Sequence, residues 1–539
     1  MFTILRRAAG LLAVPALVLP AVAGAAAPAT AAETDPGPAQ AGVAWLTDQM
    51  TDGLLDGACP DYCGRNIDAA LGLDAAGADP AILDRMREGF EPKVKDYISY
   101  SYVDGGITHT GDVGGSTAKT AVFAELVGVP AGTEYGGFDL VDRVAGLVDD
   151  TTGRLFDTTD GQRDDQYANT LGQAFAARAL HDAGHAEADA ATEWLIAQQC
   201  DAGFFREGFT APNAPAQGCD GAGSPTPSVD ATALALQMLS NQSDDPSVDA
   251  ALDAGAGWLA RVQHADGSWG SQPGSPGNAN STGMAGQALG MLGDRAAAED
   301  AAAWVRGVQA DDPAPCTTGL TGQAGAVGFD RSAVATARTG GITAGTVTQW
   351  QYATAQAIGV LPYAPTSGAG PTVAVTDAGY RKAGTSARVA AAGLAPGDTV
   401  CATRSGKAAG FFTAGRNGQA LGSVVLPQGT ATRTYVLHDG EGRVASYAFS
   451  VLGAKKLPLK LTRAKVAQRA KQKVRVTGLA PRESVRLELR GKRVAVGKAT
   501  RAGVFQKRFR VGTKPGRAKV TVVGEFGNRT GTATFRVAR

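Results

Sequence analysis

WLARVQHADGSW, residues 258–269, is the stretch that decides the fold. It combines a Trp-Leu pair, a glutamine five residues after the tryptophan, and a Gly-x-Trp turn. A near-copy, WLIAQQCDAGFF, occupies residues 194–205, and weaker copies begin at residues 45, 97, 147 and 304, spaced by 46 to 64 residues. A repeat of this length predicts one supersecondary unit that buries its hydrophobic face against its neighbours.

Each copy is followed by an alanine-rich run with helical periodicity and almost no charge. The clearest runs begin at residues 115, 168, 229 and 280, and weaker ones begin at Asn66 and near Gln349. Such helices are expected to be buried on most sides, whereas the more amphipathic tryptophan helices should lie outside. The unit is therefore an outer helix, a turn and an inner helix. Six such hairpins are predicted to close into an α/α toroid over residues 38–364.

The repeated tryptophans and glutamines are predicted to hold the scaffold together. A glutamine at a helix end can satisfy free backbone groups, and the turn glycine adopts a conformation that a β-carbon would resist. The members of this structural set are Trp45, Trp194, Gln199, Trp258, Gln263, Trp269, Trp304 and Gln309, and the last copy is expected to degenerate at Pro313.

WLARVQHADGSW resembles the QW motif of squalene–hopene cyclases, a repeat shared more loosely by the terpenoid cyclase and protein prenyltransferase toroids. The resemblance covers about residues 38–364 and implies the fold rather than the chemistry. The aspartate pairs at 149–150, 164–165, 244–245 and 311–312 all lack the preceding aspartate of the cyclase acid motif, Asp-x-Asp-Asp. Cyclase activity is therefore not expected.

Other chemistry found on related toroids also lacks its residues. His181 and His185 are four residues apart, but they follow the inner run and are expected in a solvated turn rather than at a zinc site. The stretch Cys63-Gly64-Arg65-Asn66 has asparagine where a thioester needs glutamine. No metal and no cofactor are predicted.

Small polar residues open the inner helices. Helix capping explains many of them, but in a closed toroid these helix starts share one rim, where a small ligand would bind. The candidates for acid–base catalysis are Asp165, Asp230 and His109. The candidate ligand-rim residues are Asp112, Ser116, Thr117, Asp164, Asn169, Thr170, Thr232, Asn280 and Thr282.

The sequence changes character after Pro362. Residues 365–371 are predicted to be a linker, and alternating β-branched residues follow it. ARVAAAGLAPGDTVCATRSG at 387 is echoed by VRVTGLAPRESVRLELRG at 474. These patterns predict two immunoglobulin-like β-sandwich modules, at 372–453 and 455–539. They resemble the modules that bacterial surface proteins carry after a functional domain.

The net charge of zero conceals a strong asymmetry. Residues 455–539 contain 25 Lys/Arg and 3 Glu, a net charge of +22, so the remainder of the chain carries −22. A domain this basic is expected to adhere to an anionic cell-wall polymer or glycan. The alternative is that it docks on the acidic part of its own chain. Nucleic acid is not expected as a partner, because no recognition motif accompanies the charge.

The first residues indicate export. A basic start, an apolar alanine- and leucine-rich run and Ala29-Thr30-Ala31 predict a secretory signal peptide over residues 1–32. The alternative is an uncleaved anchor, which Pro15 and Pro20 within the run disfavour. No later stretch is long and apolar enough to span a bilayer. Six cysteines then permit disulfides. Cys200 and Cys219 are the favoured pair, and Cys59 and Cys63 are a second. Cys316 and Cys401 are left as a cross-domain pair or free thiols.

These features predict a multidomain α + β protein that is secreted or associated with the cell wall. The leading hypothesis is a binding protein: a toroid that is not a cyclase, attached to an anionic wall by a basic immunoglobulin-like tail. The alternative is a secreted enzyme acting on a glycan or terpenoid, with its site at the rim of the inner helices. The missing cyclase acid favours the binding protein.

Overall fold

The computed structural model describes residues 34–55, 57, 62–221, 223–242, 245–366, 368–374 and 379–539. The predicted signal peptide and Cys59 lie outside these ranges. Within them, no helix combines the length and the hydrophobicity that a membrane crossing requires.

Six helices of the described residues form a closed inner ring. Each contacts the next along the chain, and the sixth contacts the first. Small residues allow this close packing: a β-carbon on Gly72 would collide with the backbone carbonyl of Ala355 in the neighbouring helix. The inner helices are Cys63–Ala75, Gly114–Leu126, Thr170–Asp182, Val229–Leu239, Ala279–Met291 and Val347–Ala357.

The outer helices pack against this ring, each beside an inner helix or the 3₁₀ segment that follows the last one. A further helix, Arg331–Gly340, precedes the last inner helix, and 3₁₀ segments occupy Glu91–Lys93 and Ile358–Tyr363. The outer helices are Gly37–Asp48, Pro80–Phe90, Val94–Ile98, Leu140–Leu147, Ala188–Ala197, Pro246–Val262 and Arg295–Arg306.

The repeated glutamines join successive outer helices. Each side-chain amide donates one hydrogen bond to the carbonyl of its own turn glycine and another to a carbonyl of the next outer helix. The acceptors are Gly203 and Ala251 for Gln199, Gly267 and Ala297 for Gln263, and Gly325 and Pro38 for Gln309, at 2.9–3.2 Å.

Gln309 therefore closes the ring, because Pro38 belongs to the first outer helix. The sequence pattern of this copy breaks down at Pro313, but its turn is present in the structure. The turn resumes after an insertion, and Gln309 forms a β-bridge with Val327, as Gln199 does with Phe205 in the near-copy.

We expect Gln309→Leu to lower the free energy of unfolding of the helical part by about 1–3 kcal/mol, because the variant removes the donor from two buried carbonyls. Gln309 is 3% exposed. Urea unfolding followed by tryptophan fluorescence measures the change. Gln40→Leu, on the exposed side of the first outer helix, is the matched control and should change stability by less than about 0.5 kcal/mol. Equal effects of the two variants would exclude the closing role.

The second copy of the repeat departs from the predicted turn. Tyr102 and Gly105 belong to a β-hairpin in which Ser99–Asp104 pairs with Ile107–Asp112. Gly105 and Gly106 both have positive φ, at 53° and 83°, which suits a two-residue hairpin loop. Asp157–Thr159 and Gln162–Asp164 extend the hairpin into a four-stranded sheet.

The first β module follows the helical part as two facing sheets around one hydrophobic core. One sheet contains Tyr380–Lys382, Val444–Leu452, Ala431–His438, Thr399–Arg404 and Lys407–Thr413, in that order. The other contains Ala420–Val425, Ser386–Ala392 and Thr372–Ala374.

The second β module repeats this arrangement around its own core. Its larger sheet contains Lys455–Lys456, Arg529–Ala538, Gly516–Val523, Ser484–Leu489 and Lys492–Lys498, and Lys465–Ala467 also pairs with Arg529–Ala538. Its smaller sheet contains Leu459–Leu461, Lys471–Val476 and Phe505–Arg510.

The first β module is fastened to the helical part. Cys316 is bonded to Cys401 across the two domains, one of the two alternatives that the sequence left open. Arg306 forms an ion pair with Asp398 at 2.7 Å. In the segment predicted to be a linker, Pro365 forms a β-bridge with Thr34, and the Gly370 N–H donates to the carbonyl of Gly393 at 2.9 Å.

The other cysteines of the described residues are also paired. Cys200 is bonded to Cys219, as the sequence analysis expects. Cys63 is disulfide-bonded; its predicted partner, Cys59, lies outside the described residues.

Candidate ligand cavity

The inner ring encloses a cavity of about 860 Å³, lined by residues from all six inner helices. Its middle layer follows from the repeat, because the sixth residue of five successive inner helices lines it. Asp68 and Lys119 form one side of this layer, and Phe175, Leu234 and Met284 form the other. The layer is therefore charged on one side and apolar on the other.

The cavity runs along the helices. Asn169, at the start of the third inner helix, and Arg178, nine residues later, both line it. At about 1.5 Å per residue, this separation corresponds to about 13 Å of depth. A molecule inside could contact the helix starts, the middle layer and the helix ends together.

An ion pair dominates the charged side. Lys119 Nζ lies 2.5 Å from Asp68 Oδ1, and both side chains are largely buried. Burial alone would lower the pKa of Lys119, but Asp68, aided by Tyr97, reverses this effect and raises the pKa. Lys119 therefore stays charged in the cavity wall, with Nζ 5.7 Å from the centre of the Phe175 ring.

A buried carboxyl lies where the fourth inner helix begins. Asp230 is the second residue of that helix and lines the cavity. Its Oδ1 atom is buried and has no hydrogen-bond partner among the described residues. Burial raises the pKa of this carboxyl, although a hydrogen bond with Ser281 opposes the rise. Asp230 could therefore donate a proton or form a hydrogen bond with a polar atom of a ligand.

The opposite end of the cavity also carries carboxyls. Desolvation and the neighbouring Asp182 carboxylate raise the pKa of Glu125 to about 7. Asp182 itself accepts a hydrogen bond from the guanidinium of Arg178. Glu125 and Arg178 line the cavity, so this end offers both hydrogen-bond donors and acceptors.

Only part of the predicted rim reaches the cavity. Ser116, Asn169 and Asp230 line it. Asn280 lies next to it, and its side-chain amide donates to Gln356 Oε1 at 2.5 Å. Asn169 also caps its helix, accepting from the Gly172 N–H at 3.0 Å.

The four rim threonines are not among the residues that line the cavity. Their side chains are fully buried inside the scaffold. Thr232 and Thr282 hold the repeat turns, accepting from the backbone N–H groups of Phe205 and Trp269 at 2.9 and 3.0 Å. Thr117 donates to the carbonyl of Val113. The fourth is Thr170.

The remaining candidates lie around the four-stranded sheet and the segment after it rather than in the cavity lining. Each of these side chains pairs with, or accepts a hydrogen bond from, a nearby side chain outside the cavity lining. The spacing of residues in the sequence does not reveal such contacts. Asp112 pairs with Arg143 at 2.5 Å, Asp164 accepts from Thr159 at 2.7 Å, Asp165 pairs with Arg154 at 3.4 Å and His109 with Asp160 at 2.6 Å. The proposed acid and base, Asp165 and Asp230, therefore do not share the cavity.

Sequence reasoning missed Asp68 and Lys119. A signal was present, because Lys119 is the one cation in the otherwise nearly uncharged run GSTAKTAVFAEL. A single charge inside a buried helix points either to a partner or to a ligand. As for metals, the described residues contain no group of three or more metal-binding side chains.

No family model and no curated protein matches this chain. Among solved structures, a protein from Actinoplanes is 17% identical and covers 61% of this chain and 99% of its own, with a TM-score of 0.40. The type II terpene cyclase MstE from Scytonema, in its apo form, is 14% identical and covers 60% of this chain and 96% of its own, with a TM-score of 0.38. Fibronectin(III)-like modules of CbhA from Clostridium thermocellum are 14% identical and cover 31% of this chain and 92% of their own, with a TM-score of 0.20.

Proposed function

We propose that this chain is an exported binding protein. Its helical part is a six-hairpin toroid that holds one small amphipathic ligand, and its second β module attaches it to an anionic cell-wall polymer. The observation that carries the proposal is the cavity of about 860 Å³ inside the inner ring. This volume falls within the range of small-molecule sites, about 300–1,000 Å³.

The amphipathic character of the ligand follows from the two sides of the middle layer. Phe175, Leu234 and Met284 offer dispersion contacts and removal of apolar surface from water. Asp68 offers a hydrogen-bond acceptor and Lys119 offers a donor. Their ion pair offsets the free-energy cost of burying both charges before a ligand binds. An elongated ligand with an apolar body and polar groups along one edge satisfies both sides.

The charge of the second β module supports attachment. Its residues form two internal ion pairs, Arg486–Glu488 and Arg529–Glu483, which leave most of its 25 cations unpaired. The contacts described above between the helical part and the β modules use the first module instead. Disulfides in the chain fit an oxidising, extracellular compartment.

We expect Leu234→Trp to weaken binding in the cavity at least tenfold, because the larger side chain occupies the apolar side of the middle layer. The probe is a neutral fluorescent naphthylamine, whose emission rises in apolar sites. Leu421→Trp, at a position 74% exposed in the first β module, is the matched control and should bind as the unchanged protein does. Equal binding by all three proteins would place the probe outside the cavity and count against the proposal.

One observation favours a second candidate, an enzyme that uses acid catalysis on a glycan or terpenoid. A general acid must hold its proton near the working pH, and burial of a carboxyl achieves this. Asp230 meets this requirement, since burial raises its pKa and its Oδ1 atom has no hydrogen-bond partner among the described residues. The site would lie at the start of an inner helix.

We expect Asp230→Asn to abolish turnover of any substrate that this candidate enzyme accepts, because the amide cannot donate the carboxyl proton. Asp165→Asn is the control, since Asp165 pairs with Arg154 outside the cavity lining. Product formation by the unchanged protein, followed by chromatography of candidate substrates, is compared with both variants. Full turnover by Asp230→Asn would eliminate the acid role.

A further inference from the structure

The smaller sheet of the second β module presents a face made almost entirely of cations. The outward side chains alternate with buried residues along Lys471–Val476. In the neighbouring strand, Phe505–Arg510, the buried residues are Phe505 and Phe509, and Lys507 is exposed as well. We call this surface the cationic face; its six charged members are Lys460, Lys471, Lys473, Arg475, Arg508 and Arg510.

The strand register sets like charges directly opposite each other. Lys471 pairs with Arg510, Lys473 with Arg508, and Lys460 with Arg475. Like charges in directly opposed positions destabilise a sheet. Within the described residues, none of the six side chains forms an ion pair that would relieve this repulsion.

The fold itself does not need these cations, because the first β module contains the matching sheet without them. There Ser386 pairs with Val425, Arg388 with Ser423, and Ala390 with Leu421. Among these six positions of the first module, Arg388 is the one cation, whereas the corresponding face of the second module has six. The charge has therefore been added to one of two similar scaffolds, at a cost in stability that an anionic partner would offset.

We propose that the cationic face is the docking surface for a linear wall polymer with phosphodiester repeats, such as poly(glycerol phosphate). This inference rests on the proposed attachment role and locates it. Cations on one strand repeat about every 6.8 Å, and neighbouring strands are about 4.8 Å apart. A flexible chain with one negative charge per repeat can lie along these strands and meet both rows.

The composition of the face favours a polymer over other anionic surfaces. Membrane-surface binding adds buried apolar area to charge attraction, and single-stranded nucleic acid adds stacking on aromatic rings. The outward positions of the face hold no large apolar or aromatic side chain; the only uncharged member among the paired positions is Gln506. Charge and hydrogen bonding are what this surface offers.

The test compares two full-length variants with the same loss of charge. The face variant carries Lys471→Gln, Lys473→Gln, Arg508→Gln and Arg510→Gln. The control carries Lys492→Gln, Arg493→Gln, Arg517→Gln and Lys519→Gln, all exposed positions on the larger sheet of the same module. Binding to immobilised poly(glycerol phosphate) is measured at low salt. We expect at least a tenfold loss for the face variant and less than a threefold loss for the control.

Equal losses would show that net charge alone binds and would overturn the docking surface while leaving attachment intact. No binding by the unchanged protein would overturn attachment itself. Tighter binding to phosphatidylglycerol vesicles or duplex DNA than to the polymer would also overturn the assignment. Hydrogen exchange checks that the variants are folded. The double variant Lys473→Gln with Arg508→Gln removes one repulsive pair, and its affinity for the polymer should still fall at least threefold.

Discussion

Glu483→Gln is expected to lower the free energy of unfolding of the second β module by about 3–5 kcal/mol, the usual effect of leaving a buried charge without its partner. Glu483 and Arg529 are both almost completely buried. Arg529 Nε lies 2.6 Å from Glu483 Oε1, and Nη2 lies 2.7 Å from Oε2. The neutral amide would leave the Arg529 guanidinium without its counter-charge. The whole module is expected to have only about 5–15 kcal/mol of stability.

The same pair gives the module a defined response to acid. Burial alone would raise the pKa of Glu483, but hydrogen bonds from Arg529 and the backbone hold it below its ordinary value. A carboxyl whose pKa is lowered by folding stabilises the folded state above its unfolded pKa and loses that contribution as the pH falls through the folded pKa. The unchanged module should therefore lose stability below about pH 4.5, and Glu483→Gln should flatten this dependence.

Peptide-resolved hydrogen exchange over residues 471–538 measures the loss. All six tryptophans lie in the helical part, so tryptophan fluorescence in the same samples reports whether the rest of the chain is unaffected. Glu488→Gln is the matched control, because Glu488 pairs with the exposed Arg486 and such pairs contribute about 0–1 kcal/mol. Similar exchange in both variants would show that the buried pair contributes little.

Trp258→Ala is expected to destabilise the helical part by about 3–5 kcal/mol, as truncation of a buried aromatic side chain does. Trp258 is 6% exposed, and its ring centre lies 5.6 Å from that of Phe204 in the preceding repeat. The variant would leave a cavity between an outer helix and the neighbouring turn. The effect should spread through the ring, because successive outer helices are joined by Gln199 and Gln263.

Urea unfolding followed by far-ultraviolet circular dichroism checks this expectation, since the measurement does not depend on the removed indole. Tyr102→Ala, at a position 49% exposed on the hairpin, is the control and should change stability by less than about 0.5 kcal/mol. A change near zero for Trp258→Ala would mean that the repeat tryptophan does not pack the scaffold.

The helical repeat was predictable because its cause is local. Trp258, Gln263 and Gly267 each satisfy a packing or backbone need that recurs between adjacent units, so their spacing in the sequence repeats with the unit. The hairpin at 99–112 was not predicted, because the resemblance of Tyr97-Ile98 to the repeat concealed its β-alternation. The interdomain disulfide, Cys316–Cys401, remained open because it joins residues 85 apart.

The candidate site was predictable only in part, for a different reason. Helix starts were expected to supply the ligand rim, but a polar residue there faces either the cavity or the neighbouring turn. Asp230 faces the cavity, whereas Thr232, two residues later, accepts the Phe205 N–H inside the scaffold. The rotation of the inner helix about its own axis determines which of these residues points into the cavity. Lys119 stood out in the sequence as a lone cation, but its pairing with Asp68 depends on the ring, which brings the sixth residues of successive inner helices together.

The proposed function requires that the helical ring holds one small amphipathic molecule in its cavity. Native mass spectrometry measures this most directly, after the purified full-length chain has been incubated with an organic extract of bacterial cell envelopes. We expect a single bound molecule of defined mass on the unchanged protein and on Leu421→Trp, and none on Leu234→Trp. A bare unchanged protein, or the same bound mass on Leu234→Trp, would contradict it.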